Sequence, residues 1–133
     1  QWKTAWRVRQ IVDTFYTSKT DGLCGNEDCG QMSAWYIFSA AGFYPVNPAN
    51  GIYILGSPAV NEATFHLPNN KKFTIKAINN SNENVYIQSA SFNGKPYTKS
   101  WFTHAMLMNG GALLLTMGNK PSDFGKEDKD RPK

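Results

Sequence analysis

Thiols and imidazoles are scarce in this chain. Cys24 and Cys29 are its only cysteines, and His66 and His104, its only histidines, lie far from them in sequence. A thiolate–imidazole zinc site needs about four such ligands close together, so that class is excluded. Long apolar runs are missing too: none approaches the ~20 residues of a membrane-spanning helix, and no membrane span is expected. No charged-then-apolar segment opens the chain, so Gln1 is not expected to be a secretory N-terminus. There is no internal repeat and no low-complexity segment.

A contiguous stripe of one charge sign is also absent. The formal net charge is +4 and the pI about 9.1, yet over residues 1–45 Lys3, Arg7, Arg9 and Lys19 are balanced by Asp13, Asp21, Glu27 and Asp28. Farther on, Lys71, Lys72, Lys76, Lys95 and Lys99 stand scattered against Glu62 and Glu83. Isolated lysines on strands more often guard sheet edges than bind phosphate, so nucleic acid is not expected as a partner. The mixed-charge end, residues 120–133, reads as a flexible, solvated tail.

What the chain does have is a change of period. Over residues 2–16, Ala5, Val8, Val12 and Phe15 form one helical stripe with Trp2 and Trp6 beside it, and Arg7, Arg9, Gln10 and Asp13 fall mostly away from it. A second, apolar helix is expected from Gly30 to Ala41, ended by Gly42 and Pro45. Beyond it the pattern becomes short and β-rich, with strands expected at 52–55, 63–67, 73–78, 85–92, 97–102, 106–108 and 112–117. Asn93-Gly94 and Gly110-Gly111 carry the turn chemistry of tight hairpins, which predicts antiparallel pairing. The fold class is therefore α+β: two N-terminal helices followed by an antiparallel sheet or sandwich. Three segments follow, residues 1–45 helical with an acidic loop, 46–119 β-rich, and 120–133 the tail. At 133 residues the chain has the size of about one domain.

Chemistry concentrates in one stretch, Gly25-Asn26-Glu27-Asp28-Cys29-Gly30-Gln31, just before the apolar helix. Gly22, Gly25 and Gly30 leave room for sharp turns and for a ligand to approach the main chain. In an extended conformation Asn26 and Asp28 share one face and Glu27 points to the other. A shared face of this kind suits activation of a water molecule. The same residues also read structurally: Asp28 followed by Gln31 has the spacing of a capping box that starts the Met32–Phe38 helix. Cys24 and Cys29 flank this loop, either closing it as a disulfide or remaining two partly buried thiols. His104 is read as a satisfied structural histidine. Asn79-Asn80-Ser81 matches a glycosylation acceptor pattern, and a turn between strands explains it equally well.

The ordered blocks GLCGNEDCGQMSAWYIFSAAGFYPVNP, GIYILGSPAV, SASFNGKPY and GGALLLTMG, with Lys120-Pro121, resemble glycoside hydrolase family 92, the calcium-dependent exo-acting α-mannosidases. The resemblance runs from about Gln1 to Gly125. It implies the C-terminal end of an enzyme built from an N-terminal β-sandwich and an (α/α)6 barrel, with residues 1–45 as terminal barrel helices. It further implies inverting hydrolysis of α-mannosidic linkages, α-1,2 among them, in mannose-containing glycans, and a secreted, periplasmic or cell-surface location.

On that resemblance Asp28 falls where the family carries its general base. Asn26 falls where some members have aspartate and others asparagine, and its amide suits holding water or sugar hydroxyls. Glu27 and Gln31 are candidates for substrate contact, and Glu27 with Asp28 stands near the implied Ca²⁺, a hard cation that takes oxygen ligands. The general acid is placed upstream of Gln1, so the remainder of the mannosidase chain is an expected partner, and the isolated piece is expected to be inactive. The unpartnered apolar faces of both helices suggest self-association of the fragment when that remainder is missing. The rival reading is a carbohydrate-binding or partner-packing β-module, with Tyr53, Tyr86, Tyr97 and Trp101 offering rings for sugar stacking.

Overall fold

The computed structural model describes residues 1–68 and 70–132. Helix α1 (Trp2–Phe15) and helix α2 (Gln31–Ala41) lead into β1 (Phe43–Tyr44), β2 (Ile52–Leu55), β3 (Glu62–His66), β4 (Lys72–Ile78), β5 (Tyr86–Phe92), β6 (Lys95–Pro96) and β7 (Trp101–Thr103). A short helix α3 (His104–Asn109) and strand β8 (Gly111–Gly118) complete the regular elements, apart from three single 3₁₀ turns. The strands form two sheets, β1-β2-β7 and β3-β4-β8-β5-β6. The α+β class is as expected.

Three expectations about the β region need correction. Residues 106–108 are helical, because Thr103 accepts a hydrogen bond from the Met106 amide at 3.1 Å and so caps α3. Gly110-Gly111 does not turn a hairpin; it passes the chain from α3 into β8, with φ of 76° and 138°. The pairing is also not wholly antiparallel. Strands β4 and β8 run parallel, with Ile75 opposite Leu113 and Ala77 opposite Leu115. Strand β8 is central, flanked by β4 and β5, and the long excursion through β5, β6, β7 and α3 allows it to return in the same direction as β4. Asn93 and Gly94 do close the β5–β6 hairpin, both at positive φ.

Alternation explains the core. Along β4, Phe73, Ile75 and Ala77 are buried while Lys72, Lys76 and Ile78 are exposed, and along β8 Leu113, Leu115 and Met117 point inward. These side chains meet Phe43 and Phe102 of the smaller sheet in one cluster. The Phe73 and Phe102 rings stack at 5.3 Å, and Phe43 packs edge-on to Phe102 at 5.2 Å. Lys76 is not an edge guard, since β4 is an inner strand; it reaches Glu62 on the edge strand β3 at 3.7 Å, an exposed pair.

Helix α1 lies against this body through Ala5, Arg9 and Val12, its buried residues, and through Trp2, which meets Tyr86 edge-on at 6.1 Å. Arg9 therefore belongs to the packed face, contrary to the sequence pattern. Much of the apolar surface of both helices stays uncovered. Ile37 is 58% exposed and Phe15 53%, and Trp2, Ile11 and Tyr36 are exposed as well. The end of the chain differs from the flexible, solvated tail expected. Gly125 and Asp130 are buried, Phe124 packs against the core cluster, and Ser122 donates a short hydrogen bond to the Ile87 carbonyl. Asp130 accepts a hydrogen bond from the Thr98 hydroxyl at 2.7 Å. Lys133, the end of that segment, lies outside the described residues.

Candidate active site

The acidic loop is mounted between the ends of two helices. Helix α1 stops at Phe15, and residues 17–22 form a closed turn in which the Thr17 amide donates to the Gly22 carbonyl and the Gly22 amide to the Lys19 carbonyl, each at 3.0 Å. Only glycine fits there: a Cβ on residue 22 would stand 2.1 Å from the Thr17 oxygen. Just before the turn, Tyr16 stacks on Trp35 at 5.6 Å and on Tyr36 at 5.0 Å, which ties the end of α1 to the first turns of α2. The loop between them spans a fixed gap.

Two consecutive residues in the left-handed region, Cys29 at φ 54° and Gly30 at φ 72°, lie within a single 3₁₀ turn at Asp28–Gly30 and turn the chain into α2. That kink reassigns the helix cap. The capping-box spacing pointed to Asp28, but the N-cap residue is Gly30 and carries no side-chain bond. Glu27 reaches over the turn instead, and its two carboxylate oxygens accept from the Ser33 amide at 3.0 and 3.1 Å. A negative group at a helix N-terminus is favoured by the unpaired amides and by the helix dipole.

The consequence is a division of labour among neighbours. Glu27 is partly buried and committed to the helix end, whereas Asn26, Asp28 and Gln31 are exposed. Neither the Asn26 amide nor the Asp28 carboxylate makes a hydrogen bond or ion pair among the described residues. Burial, and after it the negative fields of Cys24 and Glu27, push the Tyr16 phenol above its ordinary value. Cys24 and Cys29 are both free and exposed, not bridged and not partly buried. Among the described residues no group of three or more His, Cys, Asp or Glu side chains is placed to hold a metal ion.

The other sequence-flagged groups lie elsewhere in the structure. His104 opens α3, and its Nδ1 pairs with the Tyr53 hydroxyl at 2.9 Å. Tyr53, Tyr86, Tyr97 and Trp101 are all partly buried, and the Tyr97 hydroxyl is taken by the Trp101 carbonyl at 2.6 Å. A cavity of about 190 Å³ lies behind Trp35, lined by Val8, Phe43, Tyr44 and Ile54 among others, and includes no residue of the acidic loop.

Comparison with known proteins identifies the family over nearly the whole chain. The model of the glycosyl hydrolase family 92 catalytic domain matches residues 1–119. The chain belongs to glycoside hydrolase family 92. The structure of a family 92 inverting mannosidase from Bacteroides thetaiotaomicron superposes with a TM-score of 0.91 at 43% identity, over 98% of this chain and 18% of that one. A second family 92 α-mannosidase from the same bacterium gives a TM-score of 0.95 at 41% identity, over 99% of this chain and 18% of that one. A curated relative from Arthroderma benhamiae, described as an uncharacterized secreted glycosidase, is 34% identical across 97% of this chain and 17% of its own length. The chain thus spans under a fifth of these relatives, and corresponds to the C-terminal part of a family 92 protein.

Within the family 92 chain, pattern reading missed two things. Tyr16 gave only the signal of an aromatic residue at a helix end, and its partners Trp35 and Tyr36 lie across the loop. The capping role of Glu27 left no spacing signal, because two left-handed residues intervene between it and the helix.

Proposed function

We propose that in the complete protein this chain supplies the general-base loop of a secreted, inverting exo-α-mannosidase acting on mannose-containing glycans, with α-1,2 linkages as substrates. Asp28 is the base. The observation that carries this reading is the freedom of its carboxylate: Glu27 takes the helix-capping role, leaving Asp28 exposed and without a protein partner among the described residues. Inversion requires one carboxylate to take a proton from water on the face of the sugar opposite the leaving group, while an acid about 6.5–9.5 Å away protonates the leaving oxygen. That acid belongs to the part of the protein outside this chain. Asn26, two positions before Asp28 and exposed, offers an amide that donates and accepts, suited to orienting the water or a sugar hydroxyl. Gln31, exposed at the first position of α2, adds a second amide on the loop's rim.

Calcium, implied by the resemblance, takes about six to eight oxygen ligands. The loop offers the uncommitted oxygens of Asn26 and Asp28, while both Glu27 oxygens are held by the Ser33 amide. These residues alone do not fit a calcium shell.

The test is Asp28→Asn in the complete protein. Turnover should fall by about 10²-fold or more with little change in affinity for mannosides, as for loss of a general base. Near-normal turnover would remove Asp28 from this role.

A further inference from the structure

We infer that Glu27 is a positioning residue for the base, acting through its hydrogen bond to the Ser33 amide; this rests on the reading of Asp28 as general base. The backbone around Asp28 is held at three points. The Gly30 amide donates to the Glu27 carbonyl at 3.1 Å, and the Gln31 amide donates to the Asp28 carbonyl. The third is the Glu27 side chain on the Ser33 amide. The first bond lies inside the turn, and the second joins it to the first residue of α2. The third is the side-chain tie, and it reaches two residues farther into the helix.

The need for that tie follows from the local backbone. Cys29 and Gly30 both have positive φ, a conformation costly for cysteine, so the turn is not one the chain would keep unaided. Helix α2 has no side-chain cap of its own. Glu27 therefore does two things with one bond: it satisfies an amide at the helix N-terminus and fixes the direction in which the adjacent Asp28 side chain leaves the main chain. Displacement of a catalytic group by about 1 Å costs up to about 10²-fold in rate, so the bond's contribution should appear in turnover and not in sugar affinity.

Reach separates this role from a role for the charge. Glu27→Gln keeps a carbonyl oxygen at the same distance but removes the charge, whereas Glu27→Asp keeps the charge and shortens the side chain by one methylene. In the complete protein, Glu27→Gln should retain turnover on an α-mannoside within about threefold. Glu27→Asp and Glu27→Ala should each lose about tenfold or more, with KM within about twofold of the parent. Thermal unfolding and circular dichroism would verify that the variants are folded, and the Gln–Asp pair decides the question even if Glu27→Ala does not fold. The inference is overturned if Glu27→Asp equals the parent, or if Glu27→Gln is the more damaged of the two, which would mean that the charge itself is used on substrate or ion. Asp28→Asn measured alongside distinguishes failure of the underlying reading: if it stays active, the base assignment fails whatever the Glu27 series shows.

Discussion

The Arg9 guanidinium donates to the carbonyl of Pro58 at 2.6 Å, joining helix α1 to the segment between the two sheets across 49 residues of sequence. The same group is held by Asp13 at 2.9 Å and contacts the Asn80 side chain at 3.3 Å. At 4% exposure, Arg9 is the charged hub of the contact between the helical and β parts.

Removing that hub should cost stability. Arg9→Ala leaves the buried Pro58 carbonyl unpaired and deletes the packing of the side-chain stem. Because Asp13 is 44% exposed and can return to water, the loss should be near the unsatisfied-acceptor cost of about 1–3 kcal/mol and below that of a fully buried pair. Urea unfolding of the purified chain would measure it, and an unchanged midpoint would contradict the role.

The Gly22 turn should tolerate no side chain. A Cβ there meets the Thr17 and Lys19 carbonyl oxygens at 2.1 and 2.8 Å, both backbone atoms that cannot swing aside. Gly22→Ala should destabilise by about 1–3 kcal/mol, the range typical of overpacking, and in the complete protein should lower turnover through the loop. Equal melting temperatures for parent and variant would show that the turn rearranges freely.

Alkaline pH should unfold the chain through two tyrosines. Burial raises the Tyr97 phenol, and burial followed by Cys24 and Glu27 raises that of Tyr16. A raised phenol favours the neutral form in the folded state. Its contribution is complete below the unfolded value of about 10 and is lost as pH rises through the folded value. Melting temperature should hold at mildly alkaline pH and drop above about pH 10, less steeply in Tyr16→Phe, whose hydroxyl has no hydrogen bond among the described residues. A parallel decline in parent and variant would dissociate Tyr16 from the effect.

The uncovered helix faces predict association. Ile37, Phe15, Tyr36 and Trp2 expose more apolar surface than the chain's own sheets cover. The purified chain should therefore exceed monomer size in light scattering and bind a hydrophobic dye. It should also release no mannose, since it carries the proposed base without the acid. A strict monomer with weak dye binding would show that the faces are satisfied internally, and mannose release by the chain alone would overturn the division of catalytic groups.

The β segments were legible wherever burial alternates along the chain. Phe73, Ile75 and Ala77 point inward on β4 and leave a period-two pattern that any reading of apolar spacing finds. Helix α1 was legible in extent, but Arg9 was misplaced, because a side chain's partners at Pro58 and Asn80 are not recorded in helical spacing. Residues 106–108 looked like a strand because their apolar content suits either state, and the Thr103 cap decided for the helix. Parallel pairing of β4 and β8 had no local signal, since the direction in which a strand returns depends on the elements between. At the acidic loop the sequence alone singled out the candidate residues, Asn26, Glu27 and Asp28 between glycines. Only the tertiary structure decided which carboxylate is spent on the helix and which is free. Two left-handed residues carry the helix start past Asp28 and bring Glu27 within 3.0 Å of the Ser33 amide.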